Sequence, residues 1–204
     1  MERLKFSNHV MLDMETLSVA DNPAVLSISA VAFKIDTLNN LDDFKKPDQG
    51  KIRNETSFHC ALEINDQIKR GLDFDSSTLV FHLEHNEKFF KECLGMEADG
   101  IPIIAPDYAL REFATFLHDL SSRHSHYEQP VVWANGAVSD HKWLASLYNA
   151  YGLRMPIGFR DQLCFRTIRE MYPSHLSAYN NSHNSFDDCV NQIMAFQRIY
   201  KYAT

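Results

Sequence analysis

The sequence predicts an α/β domain in which strands come first and helices follow. Short apolar runs with partial alternation, typical of strands, occur at about residues 9–14, 24–36 and 54–62. These three strands are expected to form an antiparallel meander. From about residue 76 onward, apolar residues recur at helical spacing. A further apolar run at 130–134 is followed by Asn-Gly and an amphipathic stretch, which predicts strand, turn and helix.

The predicted helices and connectors account for the rest of the chain. A polar, charged segment at 39–53 is expected to be a surface loop, and 97–106, with one glycine and two prolines, a connector. Tyr172 precedes Pro173, which predicts a helix end, because the residue before proline is pushed out of helical geometry. The polar stretch 174–182 is expected to be a flexible approach to His183. Helices are predicted at about 76–94, 107–122, 139–151, 163–171 and 184–202.

Composition narrows the class of protein. The 204 residues are 45% hydrophobic and contain no Pro/Gly/Ser-rich linker, so we expect a single domain over residues 1–204. A net charge of −7 argues against a broad basic groove for long duplexes and favours a short single-stranded footprint. Four cysteines without C-x-x-C spacing, and no recognisable signal peptide, fit a reducing cytoplasm. No apolar run approaches the roughly 20 residues that span a bilayer, so no membrane role is expected.

Two acidic residues end the first predicted strand. In an extended chain, Asp13 and Glu15 point to the same side, about 7 Å apart. Both could therefore reach the same cations, and hard ions such as Mg²⁺ and Mn²⁺ take oxygen ligands. Taken alone, this pair is more simply a solvated turn. The ten histidines suggest zinc, but His118, His124 and His126 are better explained as a solvated helix end.

Two further segments carry residues of the same chemistry. Asp140 follows the predicted turn after 130–134, where a helix cap is the simpler role. His183 and Asp188 precede a helical face formed by Val190, Ile193, Phe196 and Ile199. Five residues span about 500° of a helix, or 140° around its axis, so His183 is expected to lie in the preceding loop. Taken alone, Asp187 and Asp188 would be ordinary first-turn acids.

In the order D-x-E, then Asp, then H-x-x-x-x-D, the chain resembles the DnaQ-like, or DEDD, 3′-5′ exonucleases of the His subtype. The segments Trp133-Ala-Asn135-Gly136 and 159–167 (FRDQLCFRT) are similar to the phage DexA-like exonucleases and the RNase AS-type exoribonucleases. The resemblance spans roughly residues 8–200. It implies an RNase H-like fold, with a mixed five-stranded sheet flanked by helices.

The resemblance also implies a mechanism. It assigns His183 as general base, with a reference pKa of roughly 6.5, and leaves Asp187 outside the pattern. Two ions, Mg²⁺ or Mn²⁺, would activate water and stabilise the leaving oxygen. Asp13 would bridge them, Glu15 and Asp188 would complete the water-bearing site, and Asp140 would serve the leaving-group site. The metal-binding carboxylates are thus Asp13, Glu15, Asp140 and Asp188.

The substrate contacts implied by the resemblance are less specific. Phe81 and His82 replace the tandem tryptophans of the family's T-x-x-W-W helix, where aromatic faces stack on bases. Phe81 as ordinary core is an equally good interpretation. Arg160 and Arg166 would contact phosphate or brace the acids, and an ion pair of Arg160 with Asp161 is equally possible. The expected substrate-binding residues are Met14, Thr16, Leu17, Phe81, His82, Asn135 and Arg160.

The expected activity is removal of nucleoside monophosphates from the 3′ end of single-stranded nucleic acid. The DexA-like resemblance favours DNA and the RNase AS-like resemblance RNA; we expect DNA. Degradation of very short oligonucleotides, and a non-cleaving nucleic-acid-binding module, are the alternatives. The resemblance also implies the cytoplasm of a bacterium or of a phage-infected host, and allows a homodimer.

Overall fold

The computed structural model describes residues 8–97, 100–122, 129–173 and 182–203. Its centre is a mixed sheet of six strands, in the order β4-β3-β2-β1-β5-β6. The antiparallel pairing of β1, β2 and β3 confirms the predicted meander. β5 and β6 extend the sheet in parallel beside β1, and β4 lies parallel to β3 at the other edge. The strands are β1 (His9–Thr16), β2 (Val25–Phe33), β3 (Ser57–Leu62), β4 (Ile103–Ile104), β5 (Val131–Ala134) and β6 (Gln162–Cys164).

The predicted mixed sheet flanked by helices is confirmed, but the described residues form six strands where five were expected. β4 could not be predicted from hydrophobic periodicity, because it is only two residues long. β6 occupies the start of the helix predicted at about 163, which instead begins at Phe165. The helices are α1 (Ile64–Lys69), α2 (Ser76–Cys93), α3 (Pro106–Ser122), α4 (Lys142–Ala150), α5 (Phe165–Met171) and α6 (Ser185–Ala203).

Several helix predictions need refinement. α1 was not predicted, and the helix expected at 139–151 is divided into a π-helical turn, Ala137–His141, followed by α4. The predicted loop at 39–53 contains one short 3₁₀ turn, Leu41–Asp43. α5 ends before Tyr172 and Pro173, as predicted. His118 is exposed near the end of α3, whereas His124, His126 and the predicted flexible stretch 174–181 lie outside the described residues.

The two faces of the sheet carry separate hydrophobic clusters. Val10, Leu12 and Met14 of β1 pack on one face, with the aromatic residues of α3. Met11 packs on the opposite face, where α5 and α6 cover the sheet. Side chains alternate along a strand, so Asp13 and Glu15 point to the same face as Met11. The four residues of the predicted apolar face of α6, Val190, Ile193, Phe196 and Ile199, are all buried there.

Small polar residues let α6 approach the sheet beside the acids. Ser29 lies opposite Asp13 in the β1–β2 pairing, and Ser27 lies opposite Glu15. The Ser185 hydroxyl, in the first turn of α6, is 2.9 Å from Ser27 Oγ and 2.7 Å from Ser29 Oγ. The beginning of α6 is therefore held against β2, next to the acidic end of β1.

None of the helices in the described ranges is long and apolar enough to cross a membrane. The four cysteines are free thiols, and three of them are buried.

Candidate active site

Three carboxylates converge at the end of β1. One oxygen from each of Asp13, Glu15 and Asp188 lies within 4.8 Å of the other two. Asp13 and Glu15 come from the strand, and Asp188 from the first turn of α6. All three side chains are buried. Oxygen ligands at this spacing form a set that suits a hard divalent cation.

Hydrogen bonds orient two of these carboxylates. The backbone N–H and the hydroxyl of Ser182 both donate to Asp188 Oδ1, at 2.6 and 2.8 Å. Gln192, four residues after Asp188 and so on the same side of α6, donates from Nε2 to Asp13 Oδ1 at 2.7 Å. Its Oε1 has no partner among the described residues. Gln192 was not predicted, although its position one turn after Asp188 was a usable signal.

Asp140 reaches the cluster through the turn after β5. In the parallel β1–β5 pairing, Ala134 lies beside Leu12, so the chain leaves β5 next to Asp13. The π-helical turn then directs Asp140 inward, where Oδ2 accepts a hydrogen bond from the Gly136 N–H at 3.2 Å. Asp140 is buried and makes no side-chain cap for α4. It lies outside the group of three but close enough to act electrostatically on Asp13.

The four acids resist simultaneous ionisation. Burial raises the pKa of Asp13 well above its usual value, and the charges of Asp140, Glu15 and Asp188 raise it further. Burial is the main reason that the pKa of Glu15 is raised to about 8, and the charges of Asp188 and Asp140 raise it further. Burial also raises the pKa of Asp140 to about 6 and that of Asp188, although hydrogen bonds to both carboxylates oppose the shift. A bound cation would relieve this repulsion, because it favours the charged forms.

His183 lies in the loop before α6, as predicted, and has a positive φ of 53°. Its ring meets the Phe81 ring edge-on, with centroids 4.8 Å apart. Asn86 donates from Nδ2 to the carbonyl oxygens of both Ser182 and His183, each at 2.9 Å. His183 lines the same cavity as the four acids. Asn86 was not predicted.

The acids and His183 line one cleft of about 510 Å³. Five of the seven expected substrate-binding residues also line it: Met14, Thr16, Phe81, His82 and Asn135. The structure does not bring the other two there. Leu17 is buried in the core, and Arg160 is exposed with its guanidinium over the Phe159 ring. Arg166 lines the cleft instead.

Phe81 and His82 play different parts. His82 is buried, donates from Nε2 to the Thr16 carbonyl at 2.8 Å and stacks on Phe90. Burial is also the main reason that its pKa is lowered. Phe81 is half-buried and stacks on His85, with centroids 4.3 Å apart. Of the two, Phe81 therefore has the more accessible ring, while His82 braces the end of β1.

A family model and a solved structure both match most of this chain. A family model described as the 3′-5′ exoribonuclease Rv2179c-like domain matches residues 8–200. No curated protein matches the chain. Among solved structures, the X-ray structure of the RNase domain of the yeast Pop2 protein matches with a TM-score of 0.47 and 13% sequence identity. That match covers 99% of this chain and 79% of the Pop2 chain.

Proposed function

We propose that this chain, which belongs to the family of Rv2179c-like 3′-5′ exoribonuclease domains, removes nucleoside monophosphates from the 3′ end of single-stranded RNA. Membership makes the protein a 3′-5′ exonuclease and gives no support to a non-cleaving binding module. The convergence of Asp13, Glu15 and Asp188 within 4.8 Å is the observation that carries the proposal. We propose RNA as the substrate, in place of the DNA expected from the sequence, because the family is described as an exoribonuclease domain.

The residues present fit divalent cations. Asp13, Glu15 and Asp188 offer three oxygens around one point, and Asp140 adds a fourth buried carboxylate nearby. We assign all four as the residues that would hold the metal ions. Two cations, Mg²⁺ or Mn²⁺, would supply Lewis-acid polarisation of the phosphate and lower the pKa of a bound water. The crowding of negative charge among these four carboxylates is the physical reason for this assignment.

The side chains around the acids have distinct roles in the proposed reaction. His183 accepts the proton of the attacking water on a ring nitrogen, and the nearby Asp188 carboxylate stabilises the resulting imidazolium. Gln192 holds the Asp13 carboxylate in one orientation through its 2.7 Å hydrogen bond. The water oxygen forms a new bond to the scissile phosphorus as the bond from that phosphorus to the 3′ oxygen of the upstream nucleotide breaks. That oxygen leaves with the shortened RNA.

The cleft also limits the substrate. A volume of about 510 Å³ is that of a small-ligand pocket, which suits a terminal nucleotide and not a duplex. We place the terminal base against Phe81, with Met14 and Thr16 of β1 beside its sugar. His82 supports this wall from behind through the Thr16 carbonyl.

A time course with 5′-labelled single-stranded RNA and DNA of equal sequence tests the proposal. Each is incubated with Mg²⁺, Mn²⁺ or chelator and resolved on a denaturing gel. We expect a metal-dependent ladder that shortens from the 3′ end and grows faster with RNA. A faster DNA ladder would change the substrate and keep the exonuclease. Intact RNA and DNA under every metal would overturn the proposal.

An Asp13→Asn variant shows whether the cleavage belongs to this cleft. The charges of the other three acids all raise the pKa of Asp13, so its carboxylate interacts with each of them. We therefore expect the substitution to abolish the ladder of shortened RNA. An unchanged ladder would mean that a contaminating nuclease or another site is responsible. Thermal melting of the variant confirms that it is folded.

A further inference from the structure

The active-site cleft has a second arm. A neighbouring cavity of about 340 Å³ shares five lining residues with the cleft, namely Val19, Gly136, Ser139, Trp143 and Arg166. The two cavities therefore adjoin each other at these residues. Neither Phe81, His183 nor any of the four acids lines the second cavity. The arm consequently leaves the cleft on the side of Gly136, away from the wall that we assign to the terminal base.

The arm differs from the cleft in charge. The cleft holds four carboxylates and one arginine, whereas the charged residues of the arm are Arg166, Lys142 and Asp21. Lys142 forms an ion pair with Asp21 on the arm's wall. Among the described residues, the guanidinium of Arg166 is then the charge of the arm that has no ion pair. A groove that is acidic at the reaction centre and cationic beside it fits a chain of phosphodiesters that passes from one arm to the other.

Arg166 stands where the two arms meet. It is exposed, lies at the start of α5 and makes no ion pair with any residue in the described part of the chain. By contrast, Arg53 and Arg70, elsewhere in the described part of the chain, form ion pairs with carboxylates. A Cβ atom on Gly136 would lie 3.4 Å from Arg166 Nη2 and 2.3 Å from Ser139 Oγ, so only glycine leaves this junction open. An unpaired guanidinium in such a groove is suited to bidentate phosphate binding.

We propose that this arm binds the nucleotide on the 5′ side of the scissile bond, with the Arg166 guanidinium contacting that nucleotide's 5′-phosphate. The assignment rests on the proposed function. The apolar surfaces of Trp143 and the exposed Val138 lie in the same arm and offer a face to the base. Arg166 thus acts in substrate binding and not on the reacting atoms.

Two dinucleotides that differ by one phosphate test the proposal: NpN with a free 5′-hydroxyl, and pNpN with a 5′-phosphate. In both, the 5′ nucleoside occupies the arm and the 3′ nucleotide occupies the cleft. Wild-type protein should have a KM for pNpN about tenfold below that for NpN, as expected for one charge-assisted contact. An Arg166→Met variant should lose this difference and have similar KM values for the two dinucleotides. Arg166→Lys should retain part of it.

A p-nitrophenyl ester of uridine 5′-monophosphate separates binding from chemistry, since it places no nucleotide in the arm. Arg166→Met should lose much less activity on this ester than on pNpN. An equal loss on both substrates would place Arg166 at the reacting phosphate and overturn the proposal, as would an unchanged KM ratio for the two dinucleotides. Arg154→Met, an exposed arginine outside both arms, is the matched control and should behave as wild type. Wild-type protein that cleaves none of the substrates would instead contradict the proposed function.

Discussion

Two adjacent acids at the start of α6 show how much one residue of register decides. Asp188 is buried at 2% exposure among the other carboxylates. Asp187 points outward, with a half-exposed side chain that forms a 3.4 Å ion pair with Lys46. Consecutive residues differ in direction by about 100° around a helix. This rotation directs Asp188 to the proposed metal site and Asp187 to the surface.

Asp188→Asn should therefore lower the rate of RNA cleavage by about a hundredfold or more, because it removes one of three converging oxygens. Asp187→Asn should leave the rate within about twofold, since an exposed ion pair contributes little. Initial rates at saturating Mg²⁺ measure both. Equal losses in the two variants would mean that the third motif has been assigned in the wrong register.

The buried acids should also make stability depend on pH and metal. Glu15 has a pKa of about 8 in the folded protein and 4.5 as its ordinary value, so the folded state binds more protons between these values. The buried histidines His59, His82 and His141 act in the opposite direction below pH 6.5, because burial lowers their pKa values and the folded state then binds fewer protons. Asp48, Asp66 and Asp75, whose pKa values are lowered, oppose the trend only at more acidic pH. Stability of the metal-free protein should accordingly fall as pH rises from 6.5 to about 8.

Melting temperatures at pH 6.5 and pH 8.5, with and without Mn²⁺, test this expectation. The metal should stabilise the protein more at pH 8.5, where it replaces protons that the cluster has lost. Glu15→Gln should raise the melting temperature of the metal-free protein at pH 8.5 and reduce the effect of Mn²⁺. A metal-free protein that gains stability from pH 6.5 to 8.5 would contradict the predicted repulsion.

At the level of elements, a kink in α2 holds the loop that carries His183. Asn86 departs from helical geometry, with φ −154° and ψ 59°, within the span of α2. Its Nδ2 donates to the carbonyl oxygens of Ser182 and His183, while its Oδ1 accepts from the Phe89 N–H at 3.4 Å. The kink therefore joins two elements that are about a hundred residues apart in the chain.

Asn86→Ala should lower kcat about tenfold, because two hydrogen bonds that position the proposed base are lost. KM for pNpN should change little, since Asn86 does not line the cleft. Asn54→Ala is a matched control, because Asn54 also donates to a backbone carbonyl, that of Lys45, but outside the cleft. A rise in KM with an unchanged kcat would show that Asn86 does not act through His183.

At the scale of the whole molecule, net charge limits how RNA is held. A chain with a net charge of −7 and a single uncompensated arginine in its groove neutralises few phosphates. Added salt should therefore weaken RNA binding only slightly, because few contacts between the protein and phosphates depend on salt. For single strands, each neutralised phosphate contributes a slope of roughly 0.7 to the dependence of log affinity on log salt.

With one or two phosphate contacts, KM for a ten-nucleotide RNA should rise about three- to sevenfold between 50 and 200 mM NaCl. A twenty-nucleotide RNA should show the same rise, because the additional phosphates lie beyond the groove. A hundredfold rise, or one that grows with RNA length, would indicate an extended basic surface elsewhere on the protein.

The sequence by itself determined the features that depend on local order. The D-x-E spacing is enough to put Asp13 and Glu15 on the same side of a strand, because side chains alternate there. The helical spacing of Val190, Ile193, Phe196 and Ile199 likewise predicts the buried face of α6. The order of the acidic motifs indicated the exonuclease family that the comparison with known families supports.

Only the tertiary structure decided which residues meet across the chain. Gln192 and Asp13 are 179 residues apart, and their hydrogen bond exists because α6 packs on the face of β1 that carries the acids. The same packing buries the carboxylates and raises their pKa values, which no local pattern encodes. It also distinguishes Arg166, at the junction of two cavities, from Arg160, which is exposed outside them. Local periodicity specifies the direction of a side chain within its own element, whereas contacts between elements depend on how the whole core packs.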